Sequence, residues 1–214
     1  MIRPARHAAA ILVIALMAPP LAAQDAALPA DAPSPALADG TPVRAEDMSR
    51  LDRLNASAGQ ALREAFAGGS ADDLATLRGA LAGQAMPPDQ AMGVLAGSWE
   101  CQVVKLGRGN PVIVYQPFRC EAGTEEFRKV SGSQLIRGSV HRDGGRLVLL
   151  GVGYIAGDTP PDYAGLAVDL DPAATPQITT NPGVIEMTGP DSGRILFPWP
   201  TLESHMDILI LRRR

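Results

Sequence analysis

The chain has 214 residues, with 19 lysines and arginines against 23 aspartates and glutamates and a formal net charge of −4. A mildly acidic chain gains nothing from counterion release on a polyanion, which argues against nucleic acid as a partner. Two Trp, three Tyr and four Phe residues are too few for a platform that stacks bases or sugars.

Residues 1–23 have the three-part form of a secretory signal peptide. Arg3 and Arg6 precede an apolar run, AAAILVIALMAP, and small residues follow at PLAAQ. The apolar run is too short to remain as a membrane-spanning helix, and it lacks the amphipathic pattern of a core helix. We therefore predict cleavage after Ala23 and export to the periplasm. Because no cysteine lies near the cut, we expect a soluble protein with no lipid anchor and no membrane span after cleavage.

Residues 24–40 are rich in Ala, Pro and Asp and show no periodicity, so they predict a disordered linker. A helical segment is predicted over residues 41–96, and Thr41 and Pro42 indicate its start as a cap and a first-turn proline. Apolar residues then recur at steps of three and four, which predicts one amphipathic helix of about five turns ending at Gly68. Its predicted inner face consists of Met48, Leu51, Leu54, Ala58, Leu62 and Phe66.

Two shorter helices are predicted to complete this segment. Ser70 and Asp73 have the spacing of a capping box, which opens the first of them. The second is predicted from Pro88 to about Leu95. Since these helices carry no cluster of convergent polar groups, we expect them to pack against a sheet or to cover the mouth of a barrel.

From Gly97 onward the hydrophobic pattern has a period of two, which indicates β-strands. Strands are predicted in a hairpin over residues 97–121 and at Glu126–Val130, Gln134–His141, Arg146–Ile155, Leu166–Leu170, Gln177–Thr180, Val184–Thr188, Arg194–Phe197 and Met206–Leu211. No long helix separates them, so parallel βαβ units are excluded. We predict an α+β fold, with N-terminal helices packed on a C-terminal antiparallel β-barrel or strongly curved sheet of about 8–9 strands. The β domain covers residues 97–214, and residues 41–214 form one globular unit.

The predicted hairpin contains both cysteines of the chain, Cys101 and Cys120. In an exported protein they can be oxidised to a disulfide, which would stabilise the fold by roughly 3 kcal/mol through loop closure. Placing the cysteines directly opposite each other puts Val103 opposite Phe118 and the turn near residues 109–111. The alternative is a pair of separate buried thiols.

The sequence contains one partial cofactor motif and two histidines that could bind a metal. Gly151 to Ala156 matches the G-x-G-x-x-A pattern of dinucleotide-binding proteins, but that pattern requires a following helix, and Gly157-Asp-Thr-Pro-Pro stands there. We interpret these glycines as a bend or bulge in a strand and expect no cofactor. His141 and His205 are far apart and have no HExxH or CxxC companion, so no metal site is expected.

A hydrolytic constellation is the main catalytic alternative. Along a strand Ser204 points away from His205 and Asp207, so these neighbours cannot form a triad by themselves. His205 and Asp207 share a face and would require a distant serine such as Ser131 or Ser133. The simpler interpretation is a strand entrance held by polar contacts, and we assign no catalytic residue.

Six residues are candidates for a binding site: Trp99, Phe118, Gln134, Arg137, Arg194 and Glu203. Polar groups that point into a barrel need partners, which is how either a ligand pocket or a structural hydrogen-bond network would look. A lumen lined by Trp99, Phe118 and Val148 would favour ligand binding.

The order of motifs resembles a family of exported bacterial proteins known as domain of unknown function 4893. The motifs are Gly97-Ser-Trp-Glu-Cys101, Lys105-Leu-Gly107, Tyr115-Gln-Pro-Phe-Arg-Cys120, Gly132-Ser-Gln134, Gly138, Gly151, Tyr163, Arg194-Ile-Leu-Phe-Pro198, Glu203-Ser204 and Asp207-Ile-Leu. The resemblance covers roughly Met48 to Leu211 and implies the fold, export and disulfide without implying an activity. The Gly-x-Trp at residues 97–99 is also similar to that of lipocalin-type barrels, in which the tryptophan packs at the closed end.

A barrel-like sheet without a convincing catalytic constellation leads to a hypothesis of function. We expect a non-enzymatic binding module that takes a small apolar ligand or an envelope protein partner. The alternatives are a hydrolase that uses His205 and Asp207, and a purely structural envelope protein.

Overall fold

The computed structural model describes residues 34–214. The predicted signal peptide and residues 24–33 of the predicted linker lie outside the described residues. The helices are α1 (Ala45–Asp52), α2 (Leu54–Gly68), α3 (Ala71–Leu81) and α4 (Pro88–Leu95). The strands are β1 (Gly97–Gly107), β2 (Asn110–Val114), β3 (Phe118–Ala122), β4 (Glu126–Lys129), β5 (Gln134–Asp143), β6 (Arg146–Ile155), β7 (Ile178–Gly189), β8 (Ser192–Pro198) and β9 (Met206–Arg213). In this part of the chain, no helix combines the length and the apolar character needed to cross a membrane.

The strands form a closed antiparallel barrel. From β3 to β9 each strand pairs with the next along the chain, β3 also pairs with β1, and β9 closes the ring by pairing with β1 from Trp99 to Leu106. The remaining strand, β2, pairs only with the second half of β1. The predicted α+β class and the antiparallel barrel are therefore confirmed.

Three of the predicted strands differ in the structure. Residues 166–170 form no strand; this stretch follows a short 3₁₀ turn, and the guanidinium of Arg44 binds the carbonyl groups of Ala167 and Val168. Those carbonyls therefore bond to a side chain instead of a neighbouring strand. The separate strands predicted at 177–180 and 184–188 are one strand, β7, because Asn181 and Gly183 pair with β6 on both sides of Pro182.

The single long helix predicted after Thr41 is wrong in its details. It is interrupted at Arg53, and its predicted inward residue Phe66 is 69% exposed. The buried face of α2 consists of Ser57, Ala61 and Ala65. These small side chains allow the helix to lie close to the outer surface of β1 and β9, so packing distance outweighs side-chain hydrophobicity in setting the helix orientation.

Ordered packing begins before Thr41. Ala36 forms an isolated β-bridge with Pro42, and Leu37 is buried together with Val43 and Leu51 against the outer face of the barrel. Residues 34–40 of the predicted linker therefore contact the fold.

Ser70 caps α3 as predicted, and Asp73 bonds to its hydroxyl group instead of the backbone N–H that a full capping box would use. The Ser70 hydroxyl accepts a hydrogen bond from the Asp73 backbone N–H at 3.1 Å, and it donates one to the Asp73 carboxylate at 2.6 Å. We expect Ser70→Ala to lower the free energy of unfolding by about 1 kcal/mol, measured by urea denaturation. Thr76→Ala, in the middle of the same helix, is the control and is expected to change it by less than about 0.5 kcal/mol. Equal effects of the two substitutions would contradict a capping role.

The disulfide between Cys101 and Cys120 is confirmed, with 5.9 Å between its Cα atoms. The predicted register is wrong by two residues, because Cys120 lies opposite Trp99 and Cys101 lies opposite Phe118. The bridge is therefore diagonal. Two features set this register: the turn closes earlier than expected, where Gly107 pairs with Asn110, and the pairing with β1 shifts by one residue between β2 and β3.

One end of the barrel is filled by an apolar core that includes Trp99 and the disulfide. Trp99 is fully buried, its indole N–H donates to the Leu95 carbonyl at 2.8 Å, and the guanidinium of Arg213 lies 4.3 Å from its ring centre. Leu95 belongs to α4, so this helix covers the closed end. Trp99 thus occupies the position that the Gly-x-Trp likeness implied.

Candidate functional site

The opposite end of the barrel contains a pocket of about 180 Å³. Apolar walls come from Phe118, Ile136 and Phe197, and polar side chains face them from several strands. Side chains alternate between the two faces of a strand, so the inward-facing residues of β1 that build the core at the closed end continue as Val103 and Lys105 at this end. The pocket and the closed-end core are therefore two levels of one lumen.

Glycine at position 153 keeps this lumen open beside β7. A Cβ atom at Gly153 would lie 2.6 Å from Thr179 Oγ1 and 3.1 Å from the Asn181 side chain. Thr179 donates to Asn181 Oδ1 at 3.0 Å. Among the described residues the Asn181 Nδ2 group has no partner, so it remains available as a donor to a ligand. Gly151 and Gly153 of the G-x-G-x-x-A pattern both lie in β6, which agrees with the interpretation of these glycines as part of a strand.

Lys105 is the centre of an ion-pair network on one side of the pocket. Its ammonium lies 2.6 Å from a Glu203 oxygen and 3.7 Å from Asp207, whose other oxygen accepts a hydrogen bond from Ser204 at 2.5 Å. Burial opposes the charge of Lys105, but the two carboxylates outweigh it and raise its pKa above the ordinary value. Burial also raises the pKa of Asp207, against the opposing effect of Lys105. The charge of Lys105 is therefore compensated.

Lys129 has a different environment on the other side. Its side chain is buried, and its ammonium donates to the carbonyl groups of Ser131 at 2.8 Å and Gln134 at 2.6 Å. The ring of Phe118 lies 3.9 Å from the nitrogen. Within residues 34–214 no carboxylate contacts Lys129. Burial, and to a smaller extent the like charge of Lys105, lower the pKa of Lys129 to about 8.

A buried polar network holds α1 beside the pocket mouth. Arg50 lines the pocket, contacts Asp47 at 3.0 Å and donates to Thr180 and to the carbonyl group of Pro198. Asp47 also accepts hydrogen bonds from Thr180 at 2.8 Å and from the Tyr163 hydroxyl at 2.6 Å. Burial lowers the pKa of Arg50, and Asp47 opposes that effect. This cation, like Lys105, therefore has an acidic partner inside the protein.

Comparison with known families gives a match over most of the chain. The family described as Domain of unknown function (DUF4893) matches residues 41–211. The chain belongs to this family. Comparison with curated proteins finds no match, and comparison with solved structures also finds none. The family resemblance seen in the motifs is thereby confirmed.

The fold of this DUF4893 protein brings together three of the six candidate binding residues. Phe118, Gln134 and Glu203 line the pocket. Trp99 lies in the core at the closed end. Val148, whose presence in the lumen would have favoured ligand binding, packs outside the barrel near α1.

The two candidate arginines lie outside the lumen and have structural partners. Arg137 donates to the Pro160 carbonyl and pairs with Asp162 at 2.9 Å. Arg194 pairs with Glu186 at 2.6 Å and donates to carbonyl groups at the C-terminal end of α3, including that of Ala82 at 2.8 Å. Arg194 therefore has the partners that a structural hydrogen-bond network would supply, whereas Arg137 is bonded through one terminal nitrogen and its buried Nε has no partner among the described residues.

Sequence reasoning missed Lys105 and Lys129, although a signal was present. These are the only lysines among the 19 cationic residues of this DUF4893 protein, and both line the pocket. Lysine differs from arginine in being a compact point charge whose pKa shifts readily when it is buried. Because every other cationic position of the chain is occupied by arginine, lysine at these two positions indicates a role that arginine would not fill.

The residues of the hydrolase hypothesis are not assembled into a catalytic group. His205 lies 3.1 Å from Glu64 and 3.3 Å from Gln60, both on α2, while Asp207 faces the lumen. Among the described residues no serine hydroxyl bonds to the His205 ring. The described part of this DUF4893 protein also contains no group of three or more His, Cys, Asp or Glu side chains that could hold a metal ion.

Proposed function

We propose that this protein is an exported binding module that takes a small, partly apolar molecule into the open end of its barrel. The observation that carries the proposal is the pocket itself: one end of the lumen is filled by core side chains, whereas the other end is open and lined by both aromatic and polar groups. A closed barrel is a rigid frame, and pockets of this mixed character are typical of ligand sites.

The size of the pocket limits the ligand. A protein cavity of about 150 Å³ accepts benzene, so a pocket of about 180 Å³ suits a molecule little larger than benzene. Phe118, Ile136 and Phe197 supply apolar contact for its body, and Gln134 and Asn181 supply hydrogen-bonding groups. We therefore favour a small molecule over a protein partner for this site.

Export to the periplasm is part of the same proposal. The bond between Cys101 and Cys120 lies in the barrel core, and disulfides persist in oxidising compartments. Together with the leader indicated by the sequence, this supports a function outside the cytoplasm. Binding is favoured over hydrolysis because His205 is engaged by α2 outside the lumen.

Native mass spectrometry of protein purified from the periplasm tests the proposal. We expect the wild type to retain a small molecule and Ser133→Trp to lose it, because Ser133 is exposed on the loop that lines the pocket mouth. Ser139→Trp is the matched control, since Ser139 is exposed on the outer face of β5 and should leave the retained mass unchanged. A bare wild-type protein, or a mass that Ser133→Trp also retains, would contradict the pocket as the binding site.

A further inference from the structure

Lys129 is the one cation lining the pocket whose charge has no acidic partner among the described residues. Three cations line the pocket; Arg50 pairs with Asp47, and Lys105 pairs with Glu203 and Asp207. The Lys129 ammonium contacts only two carbonyl groups and an aromatic ring. Carbonyl dipoles orient the ammonium but carry no net charge, so the formal positive charge remains uncompensated.

Lys129 is 4% exposed, so water does not solvate its charge well. A buried ammonium without an anion is unfavourable, and proteins rarely keep one unless it is paired. The loop after β4 approaches the ammonium group so closely that only glycine fits there. A Cβ atom at Gly132 would lie 2.8 Å from the Phe118 ring and 3.0 Å from the ammonium nitrogen. The chain therefore approaches Lys129 with backbone carbonyls and a glycine, and an anion is the missing partner.

We propose, as an extension of the ligand-binding function, that the ligand is a small monocarboxylic acid whose carboxylate pairs with Lys129. Its apolar body lies along Phe118, Ile136 and Phe197, and the Asn181 amide is a second donor to the carboxylate. A single negative charge fits best because Glu203 and Asp207 face the same lumen and would repel a dianion such as a phosphate monoester.

Charge at Lys129 also predicts how binding depends on pH. The other titratable groups that line the pocket are Arg50 from α1, Lys105 from β1, Tyr115 after β2, Tyr154 from β6, Glu203 before β9 and Asp207 from β9. Since the pKa of Lys129 is lowered to about 8, its charge is lost within a range in which a carboxylic acid ligand stays ionised. The preference for the acid should therefore decline between pH 7 and pH 9.5.

Matched acid and amide probes test the proposal by isothermal titration calorimetry at pH 7. Benzoate and benzamide have almost the same shape, as do hexanoate and hexanamide, and each pair differs in charge. We expect wild-type protein to bind each acid about ten- to a hundred-fold more tightly than its amide, the range for a charge-assisted hydrogen bond. Lys129→Met should remove this preference and leave the amide affinity within about two-fold, since methionine keeps the unbranched apolar stem.

Arg119→Met is the matched control because it removes one positive charge from an exposed position beside Phe118, on the outer face of β3. It should keep the acid preference of the wild type. Equal binding of acids and amides to the wild type, or a preference that survives in Lys129→Met, would overturn the carboxylate inference while leaving ligand binding intact. If none of the four probes binds at millimolar concentration, the proposed binding function itself fails together with the inference.

Discussion

Replacing both cysteines by alanine is expected to lower the free energy of unfolding by about 3 kcal/mol under oxidising conditions. The bond closes a loop with a sequence separation of 19, and loop-closure entropy in the unfolded chain gives an effect of about 3 kcal/mol for a loop of this length. For a chain of this size the melting temperature should fall by about 6 to 12 °C. Urea denaturation at 25 °C and thermal unfolding measure the two quantities.

The wild type in reductant is the control for this substitution. Reduction removes the covalent bond but keeps both sulfur atoms, which are buried in the core. The difference between wild type and the double alanine variant should therefore shrink in reductant to a packing effect of about 1 kcal/mol. An unchanged stability difference in the two buffers would show that the bond itself contributes nothing and that the cysteines act only by packing.

The cysteine pair could be predicted from sequence, but its register could not. A slip of one residue moves every side chain of a strand to the opposite face, whereas a slip of two residues leaves each face unchanged. Trp99, Cys101 and Cys120 face the same lumen in the predicted and the observed pairing. The choice depends on the turn, and the Gly- and Pro-rich segment from Gly107 to Pro111 permits several turn positions. The hydrophobic periodicity therefore identified which face of each strand is turned to the lumen, but not which residue lies opposite on the neighbouring strand.

For a strand that is covered on both sides, the sequence also does not show which residues point into the barrel and which point outward. In β6 every residue from Leu147 to Leu150 is buried, two against the closed-end core and two against α1 and the segment before it. Apolar residues then follow one another without alternation, and nothing in the strand itself distinguishes Val148 from Leu149. The face on which Val148 lies could not be predicted from the sequence for this reason.

The depth of a residue along the lumen is a further property that local patterns do not contain. Trp99 and Lys105 lie on the same face of β1, yet one is in the closed-end core and the other in the pocket. Depth depends on strand stagger around the whole barrel, which is fixed by many non-local pairs. Polar residues in strands, such as Arg194, could therefore not be assigned to the lumen or to the outer surface in advance.

Replacing Lys129 by methionine is expected to favour the folded state by about 2 kcal/mol more at pH 7 than at pH 10. The hydrogen bonds from Lys129 to the carbonyl groups of Ser131 and Gln134 are lost at both pH values, so they do not contribute to this difference. Folding lowers the pKa of this ammonium from 10.5 to about 8, chiefly because burial removes its water, and each pKa unit corresponds to about 1.4 kcal/mol. Below pH 8 the residue is charged in both states, so the folded state bears the whole penalty. Between about pH 8 and pH 10.5 the folded state loses its proton first, so the penalty decreases as pH rises and disappears above that range.

Urea denaturation at pH 7 and at pH 10 measures this dependence. The stability of Lys129→Met relative to the wild type should be about 2 kcal/mol lower at pH 10 than at pH 7. All other titrating groups are shared, so this change reports on Lys129. Arg119→Met should show an advantage near zero at both pH values because its charge is exposed. A relative stability that does not change between pH 7 and pH 10 would mean that the charge is already compensated in the protein, which removes the basis for an anionic ligand. If Lys129→Met is instead more stable than the wild type at pH 7 and no longer prefers acids to amides, stability alone would favour methionine at this position. The presence of lysine would then be explained by ligand binding.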